Sequence, residues 1–128
     1  MLLWRFEWKK VIDLDCGKGR FLRVLKSKSP YSYLYGLDIS EEMLHFCPER
    51  IETIYGSILD IKYPESYFDS VYCVETLEHA LRTENAIKEM VRVLKHGGKI
   101  IIIDKNAAKL GTLKLEPWAG SNGLNQKR

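Results

Sequence analysis

The chain has 128 residues, of which 45% are hydrophobic and 29% charged, and its formal net charge at pH 7 is +3. These values are typical of one globular domain with its own core, and the mild charge argues against nucleic acid as a partner. The sequence holds no run near the roughly 18 apolar residues of a membrane span. The N-terminal residues lack the pattern of a secretory signal, and three cysteines without metal-site spacing favour reduced thiols. We therefore expect a cytoplasmic protein with no membrane partner and no bound metal.

Strand-like and helix-like patterns alternate along the chain from residue 11 onward. The apolar run 11–14 predicts a buried strand. Residues 19–28 follow, and helical spacing puts Phe21, Leu22 and Leu25 on one face with cations on the other. Further along the chain the patterns predict a second strand over 32–39, a short helix capped by Ser40, a third strand over 50–58, a fourth over 65–77, a helix over 82–96 closed by Gly97 and Gly98, and an apolar fifth strand over 99–104.

Alternation of this kind predicts an α/β fold with right-handed crossovers. We expect a Rossmann-like, doubly wound, mostly parallel sheet of about five strands with helices on both faces, which is a three-layer sandwich. The pattern fills most of the chain, so we expect a single domain over 1–128. Residues 105–128 are glycine-rich and aperiodic, and they predict a short irregular extension.

Ligands of such sheets bind beyond the carboxyl ends of the strands. Gly17 and Gly19 follow the first strand and allow a ligand to lie close to the backbone. Asp38 ends the second strand, where a carboxylate accepts hydrogen bonds from the two hydroxyl groups of a ribose. The sequence therefore predicts a ligand that contains adenosine.

The remaining residues of the first loop indicate which adenosine ligand fits. A dinucleotide fingerprint needs a small residue where Leu22 stands, and the carboxylates of Asp13 and Asp15 would repel a pyrophosphate. S-adenosylmethionine carries a sulfonium and an ammonium and has no phosphate. The pattern favours this cation over a nicotinamide dinucleotide.

Four segments carry a resemblance to a known family. VIDLDCGKG, YGLDIS, SYFDSVYCVETLEHA and MVRVLKHGGKIIIID resemble, in order, the motifs of class I S-adenosylmethionine-dependent methyltransferases of the small-molecule type. The resemblance covers about residues 9 to 105. It implies S-adenosylmethionine as cofactor and methyl transfer to a small-molecule acceptor.

The resemblance also implies roles for particular positions. Asp13 matches the acidic residue that holds the methionine ammonium, Asp38 the residue that binds the ribose, and Ile39 the residue that packs on the adenine. The other positions expected at the cofactor are Asp15, Cys16, Gly17, Gly19, Ser57, Ile58, Cys73 and Glu75. A base is needed only if the acceptor must lose a proton, and His79 is the expected one.

Asp15 departs from the family pattern, which has glycine at this place. Aspartate tolerates unusual backbone angles better than most residues. Its carboxylate would either strengthen the attraction for the cofactor's cations or collide with the methionine carboxylate.

Structural explanations stay open beside these functional ones. Asp13 and Asp15 can cap backbone N–H groups, and Asp38 can stabilise a turn. Glu75 and His79 are four residues apart and can pair on one helical turn. A non-catalytic module that binds the cofactor and acts through a partner chain is the alternative function.

The chain is short for the family at both ends, which predicts either a truncated domain or self-association through an uncovered sheet edge.

Overall fold

A computed structural model describes residues 9–74 and 83–103 of the chain. The elements in chain order are β1 (Lys10–Leu14), α1 (Arg20–Lys28), β2 (Tyr33–Asp38), α2 (Glu41–Leu44), β3 (Glu52–Tyr55), β4 (Phe68–Val74), α3 (Thr83–Val93) and β5 (Leu94–Ile103). Strands and helices thus alternate as the sequence pattern predicted.

The five strands form one parallel sheet in the order β3-β2-β1-β4-β5. The chain builds outward from β1 in one direction and then crosses to β4 on its other side. The point between β1 and β4, where the strand order reverses, is where open α/β sheets bind ligands. The predicted Rossmann-like fold class is confirmed.

Helices cover both faces of this sheet, and each face has its own apolar core. On one face, α3 contributes Ala86, Ile87, Met90 and Val93 to a cluster that includes Ile12 and Leu14 of β1. On the other face, Leu22 of α1 packs with residues that include Val11, Leu34 and Tyr72. Successive side chains of β1 alternate between these two cores, as they do in any strand.

The apolar face of α1 is narrower than its sequence predicts. Leu22 is the buried residue of this helix, while Leu25 is half-buried and the Phe21 side chain is 38% exposed. Helical spacing places Phe21 100° from Leu22, which turns it from the sheet toward the surface.

The end of α3 differs from the prediction that Gly97 and Gly98 close the helix. The helix ends at Val93 because its last carbonyls bind the loop before β4: the Ser66 N–H donates to Arg92 O and the Tyr67 N–H to Val93 O. Gly98 instead lies in β5, where an added Cβ would meet Asp69 O at 2.7 Å. A larger residue would clash here, so glycine allows the backbones of β4 and β5 to approach each other closely.

One polar cluster fastens α3 to the loop between β3 and β4. Glu89 accepts a hydrogen bond from the Ile61 N–H at 2.8 Å and pairs with Arg92 at 2.7 Å. Arg92 in turn donates to Ile61 O and Tyr63 O. Arg92 holds the pKa of the Glu89 carboxyl below its usual value. The cluster joins two segments almost 30 residues apart.

β5 is an edge of the described sheet. Its inner side chains Ile100 and Ile102 pack on the α3 core, whereas Ile101 and Ile103 on the other face are exposed. Among the helices in the described ranges, none is long and apolar enough to cross a membrane.

Candidate functional site

The loop after β1 bends through residues with left-handed backbone angles. Asp15 has φ 63°, Gly17 φ 58° and Gly19 φ 83°. Glycine adopts such angles without cost, whereas other residues pay a steric penalty, which is smaller for aspartate and asparagine. Asp15 therefore stands at a position that favours glycine, and it is an exposed residue. This loop brings the N-terminus of α1 beside the end of β2.

Asp38 connects this loop to β2. Its Oδ2 accepts a hydrogen bond from the Gly17 N–H at 2.7 Å, and its Oδ1 accepts one from the Ser40 N–H at 2.8 Å. The side chain thus fulfils the predicted turn-stabilising role. Each carboxylate oxygen has two acceptor sites, so both oxygens retain capacity for a ribose hydroxyl. The ribose contact stays a prediction, and the two roles are compatible.

Asp13 is the buried carboxyl of the site, with 2% of its surface exposed. Its pKa is raised to about 7, first of all by burial and in the same direction by the charges of Asp15 and Asp38, while the nearby Tyr72 hydroxyl partly offsets this rise. The charges of two neighbouring carboxyls thus act on Asp13 at the carboxyl ends of β1 and β2. A cation is the ligand that would relieve their mutual repulsion.

Tyr72 is the member of this site that the sequence did not predict. It lies in β4 as the Cα partner of Asp13 in the register of β1 with β4. Its hydroxyl is buried, and no atom in the part of the chain that the structure describes lies at the distance and angle of a hydrogen bond to it. It is still close enough to Asp13 to lower the pKa of that carboxyl. Only the strand register reveals this neighbour, because 59 positions separate the two residues.

The residues expected at the adenine lie beyond β2 and β3. Ile39 follows Asp38 with its side chain 68% exposed, as a residue that packs on a ligand requires. Ser57 and Ile58 follow β3 and are partly buried. The Ser57 hydroxyl accepts a hydrogen bond from the Leu59 N–H at 3.0 Å, so it shapes its own turn and retains its proton for a ligand.

The two predicted cysteines lie in the cores beneath the site. Cys73 is fully buried in the α3 core, on the face opposite Tyr72. Cys16 is buried in the other core, and its thiol and that of Cys47 both donate to Gly17 O, at 3.7 and 3.5 Å. Cys16 thus packs beneath the glycine loop, and Cys73 lies in the core at the end of β4. Direct contacts of these two side chains with the cofactor stay predictions.

Two expected residues, Glu75 and His79, lie outside the described residues, as does the predicted extension 105–128. Within ranges 9–74 and 83–103, no group of three His, Cys, Asp or Glu side chains is arranged to hold a metal ion.

The strand order, the glycine loop and the carboxylates at two neighbouring strand ends define a nucleoside-binding domain of the methyltransferase class. The chain belongs to the methyltransferase domain family, whose family model matches residues 12–102. The resemblance seen in the four motifs is confirmed, and with it S-adenosylmethionine as the cofactor.

Similar proteins of several kinds exist. The tRNA (carboxymethyluridine(34)-5-O)-methyltransferase of Arabidopsis thaliana is 31% identical over 113 residues, which are 84% of this chain and 27% of that protein. The ubiquinone/menaquinone biosynthesis C-methyltransferase of Burkholderia vietnamiensis is 29% identical over 127 residues, 87% of this chain and 52% of that protein. A crystal structure from Pyrococcus horikoshii has a TM-score of 0.71 and 30% identity, and covers 90% of this chain and 59% of that one. The chain thus spans about half or less of the length of its curated relatives.

The described residues fit S-adenosylmethionine. Asp13 offers a buried carboxyl for the ammonium, Gly17 leaves the loop partly exposed beside it, and Asp38 retains acceptor sites for the ribose. Ile39 presents an exposed apolar surface for the adenine.

Proposed function

We propose that this chain is the cofactor-binding core of a methyltransferase that transfers a methyl group from S-adenosylmethionine to a small-molecule acceptor. The observation that carries the proposal is the group of carboxyls of Asp13, Asp15 and Asp38 beside a left-handed glycine loop at the switch point of the sheet. A cationic nucleoside satisfies all of these features together.

The cofactor supplies a methyl group that is already activated by the sulfonium. The chain's own residues then have three tasks, which are to bind, orient and shield the reactants. Asp13 holds the ammonium and Asp38 the ribose of the cofactor, and alignment of this kind contributes on the order of 7–11 kcal/mol to a displacement reaction. His79 is proposed as the base for an acceptor that loses a proton.

A small acceptor is supported by the relative that is a C-methyltransferase of ubiquinone/menaquinone biosynthesis. The tRNA-methylating relative makes RNA the competing acceptor class. Transfer of a labelled methyl group to a panel containing hydroquinones, phenols and a tRNA mixture separates the two. Incorporation into tRNA with no product among the small molecules would refute the proposed acceptor class.

The alternative is a module that binds the cofactor without catalysis and acts through a partner chain. Calorimetric titration with S-adenosylmethionine and S-adenosylhomocysteine tests binding, and the acceptor panel tests transfer. Binding without transfer on any acceptor, also after addition of the chain's own cellular partners, favours the module. Absence of binding to either nucleoside overturns both functions.

The strand β5 supports the proposed self-association, because it is an edge of the described sheet and its side chains Ile101 and Ile103 are exposed. Gel filtration with light scattering measures the mass in solution. A stable, folded monomer at high protein concentration would contradict this pairing.

A further inference from the structure

The Tyr72 hydroxyl is an anomaly in the fold. Its oxygen is buried and has no hydrogen-bond partner of full geometry among the residues that the structure describes. Buried polar atoms of native proteins nearly always have a partner, because an unsatisfied one forfeits its hydration. A phenylalanine would fill the same place in the α1-side core without that cost. The packing of the apolar core therefore does not explain why a tyrosine stands here.

The carboxyl of Asp13 lies beside this hydroxyl and can accept the hydrogen bond that the hydroxyl donates. The two residues are Cα partners in the parallel register of β1 with β4, which places their side chains on the same face of the sheet. Both are almost completely buried, at 2% and 8% exposure. A tyrosine hydroxyl donates one hydrogen bond, and an ionised carboxylate has only acceptors, so the pair is complementary when Asp13 is charged.

We propose that Tyr72 is a positioning residue of the cofactor site, whose hydroxyl donates a hydrogen bond to the Asp13 carboxylate once that carboxylate pairs with the ammonium of S-adenosylmethionine. The inference rests on the proposed function. Tyr72 occupies one carboxylate oxygen and thereby orients the other toward the ligand. The partner of the hydroxyl is the charged form of Asp13, which explains why a tyrosine stands at this buried position.

The surroundings of Asp13 explain why such a donor is needed. Burial and the charges of Asp15 and Asp38 all disfavour its ionised form, and the thiols of Cys16 and Cys47 are the other titratable groups of the described chain beside it. Burial raises the pKa of both thiols, so they bring no positive or negative charge at neutral pH. The Tyr72 hydroxyl is the one contact on this side that lowers the pKa of Asp13.

The test compares Tyr72→Phe with the full chain by calorimetric titration of S-adenosylmethionine between pH 6 and 7.5. A hydrogen bond to a charged group is worth enough that we expect about tenfold weaker binding for the variant at pH 6. The deficit should shrink toward about threefold at pH 7.5, because a higher fraction of Asp13 is then ionised without help. If Tyr72 had only a structural role, the loss of affinity in Tyr72→Phe would be the same at every pH.

Tyr35→Phe is the matched control. Tyr35 is also a buried tyrosine in a central strand, but it belongs to the aromatic cluster with Tyr63, Tyr67 and Phe68 on the other face of the sheet. Its loss should leave the cofactor affinity within about twofold at every pH, because no carboxyl of the site faces it.

Carbon NMR of labelled aspartate provides a readout without cofactor. The titration of the Asp13 carboxyl should move to higher pH in Tyr72→Phe and stay unchanged in Tyr35→Phe. A double variant with Asp13→Asn should bind no more weakly than Asp13→Asn alone, since the hydroxyl then has no charge to support.

These experiments distinguish failure of the proposed function from failure of the role of Tyr72. Failure of the unaltered chain to bind S-adenosylmethionine overturns the proposed function. If the unaltered chain binds and Tyr72→Phe shows the same affinity, the same pH profile and the same Asp13 titration, the positioning role of Tyr72 is wrong.

Discussion

The Asp38 carboxylate and the Gly17 backbone N–H lie 2.7 Å apart and join the end of β2 to the loop after β1. The residues are 21 positions apart in the chain, and this bond fixes the height of the loop above the sheet. The same carboxylate holds the Ser40 N–H at the start of α2. One side chain thus shapes both walls of the proposed cofactor site before any ligand arrives.

Replacement of Asp38 by alanine should therefore weaken both folding and binding. Two backbone N–H groups lose a charged acceptor, which should lower the free energy of unfolding by about 1.5–3 kcal/mol. Loss of the ribose contact should reduce the affinity for S-adenosylmethionine by at least about 30-fold. Thermal unfolding and calorimetry measure the two effects.

Asp38→Asn is the informative companion because it keeps one side-chain acceptor. It should recover part of the lost stability and little of the lost affinity. Affinity for the cofactor that is unchanged in Asp38→Ala would exclude this carboxylate from the ribose site.

The raised pKa of Asp13 makes folding depend on pH. Its folded pKa of about 7 lies above the reference value of 3.8, so the folded chain binds more protons than the unfolded chain between these two pH values. The sign of the linkage is then negative: stability declines as pH rises from about 4 to 7, by up to roughly 4 kcal/mol. Asp13→Asn should flatten this part of the pH profile of unfolding. Equal slopes for the two proteins between pH 5 and 7 would contradict the burial of a protonated carboxyl.

Asp13 also predicts how binding depends on pH, with the opposite sign. The ammonium of the cofactor pairs with the ionised carboxylate, whose population grows as pH rises toward 7. Affinity should therefore increase several-fold between pH 6 and 7, at most about tenfold per pH unit. Calorimetry in buffers of equal ionic strength checks this, with Asp13→Asn as the variant that should bind weakly and without the pH trend.

Asp15 occupies a left-handed backbone position, and glycine should suit it better. Asp15→Gly removes the steric strain of the left-handed backbone but also gives the unfolded chain more conformational freedom. The free energy of unfolding should rise by a net amount of about 0.5–1 kcal/mol. It also removes one of the charges that raise the pKa of Asp13. The variant should be more stable, and its Asp13 carboxyl should titrate at lower pH.

Asp15→Asn separates the two contributions, because asparagine tolerates the same backbone angles and carries no charge. It should match the unaltered chain in stability and Asp15→Gly in the Asp13 titration. A loss of cofactor affinity in both variants would show that the Asp15 carboxylate attracts the ligand's cations.

The Glu89–Arg92 cluster should contribute more to stability than any exposed ion pair of the described chain. Arg92→Met leaves the Ile61 and Tyr63 carbonyls without this donor and removes the charge that pairs with Glu89, which should cost about 2–4 kcal/mol. Chemical denaturation measures this loss. The matched control is Lys62→Met, which breaks the exposed pair of Lys62 with Asp60 and should change stability by less than about 0.5 kcal/mol. Similar losses in the two variants would refute the fastening role of Arg92.

The pH dependence of this cluster has its own sign. The Glu89 pKa is lowered in the folded chain, first by its hydrogen bond with Arg92. Its contribution is therefore present above the ordinary carboxyl pKa and is lost as pH falls through the folded value. This acid-side loss should be absent in Arg92→Met.

The sequence by itself determined the order of the elements and the class of ligand. Alternating apolar runs and helical faces predicted β1 to β5 because strand and helix periods are local properties of the chain. Asp13, Gly17 and Asp38 could be predicted to lie near one another because parallel strands end at the same edge of the sheet.

The exposure of Phe21 and the early end of α3 were decided by tertiary contacts. Helical spacing gives the direction of a side chain but not the width of the surface that receives it. The carbonyls that end α3 bind Ser66 and Tyr67, which are far away in the chain.

The chemistry of the site depended on the tertiary structure in the same way. The pKa of Asp13 follows from burial, the approach of Tyr72 from the register of β1 with β4, and the shape of the glycine loop from its bond to Asp38. Local periodicity fixes which elements form and which residues end them. Desolvation and hydrogen bonding depend on groups that are distant in sequence, so only the folded arrangement decides how those residues titrate and what they hold.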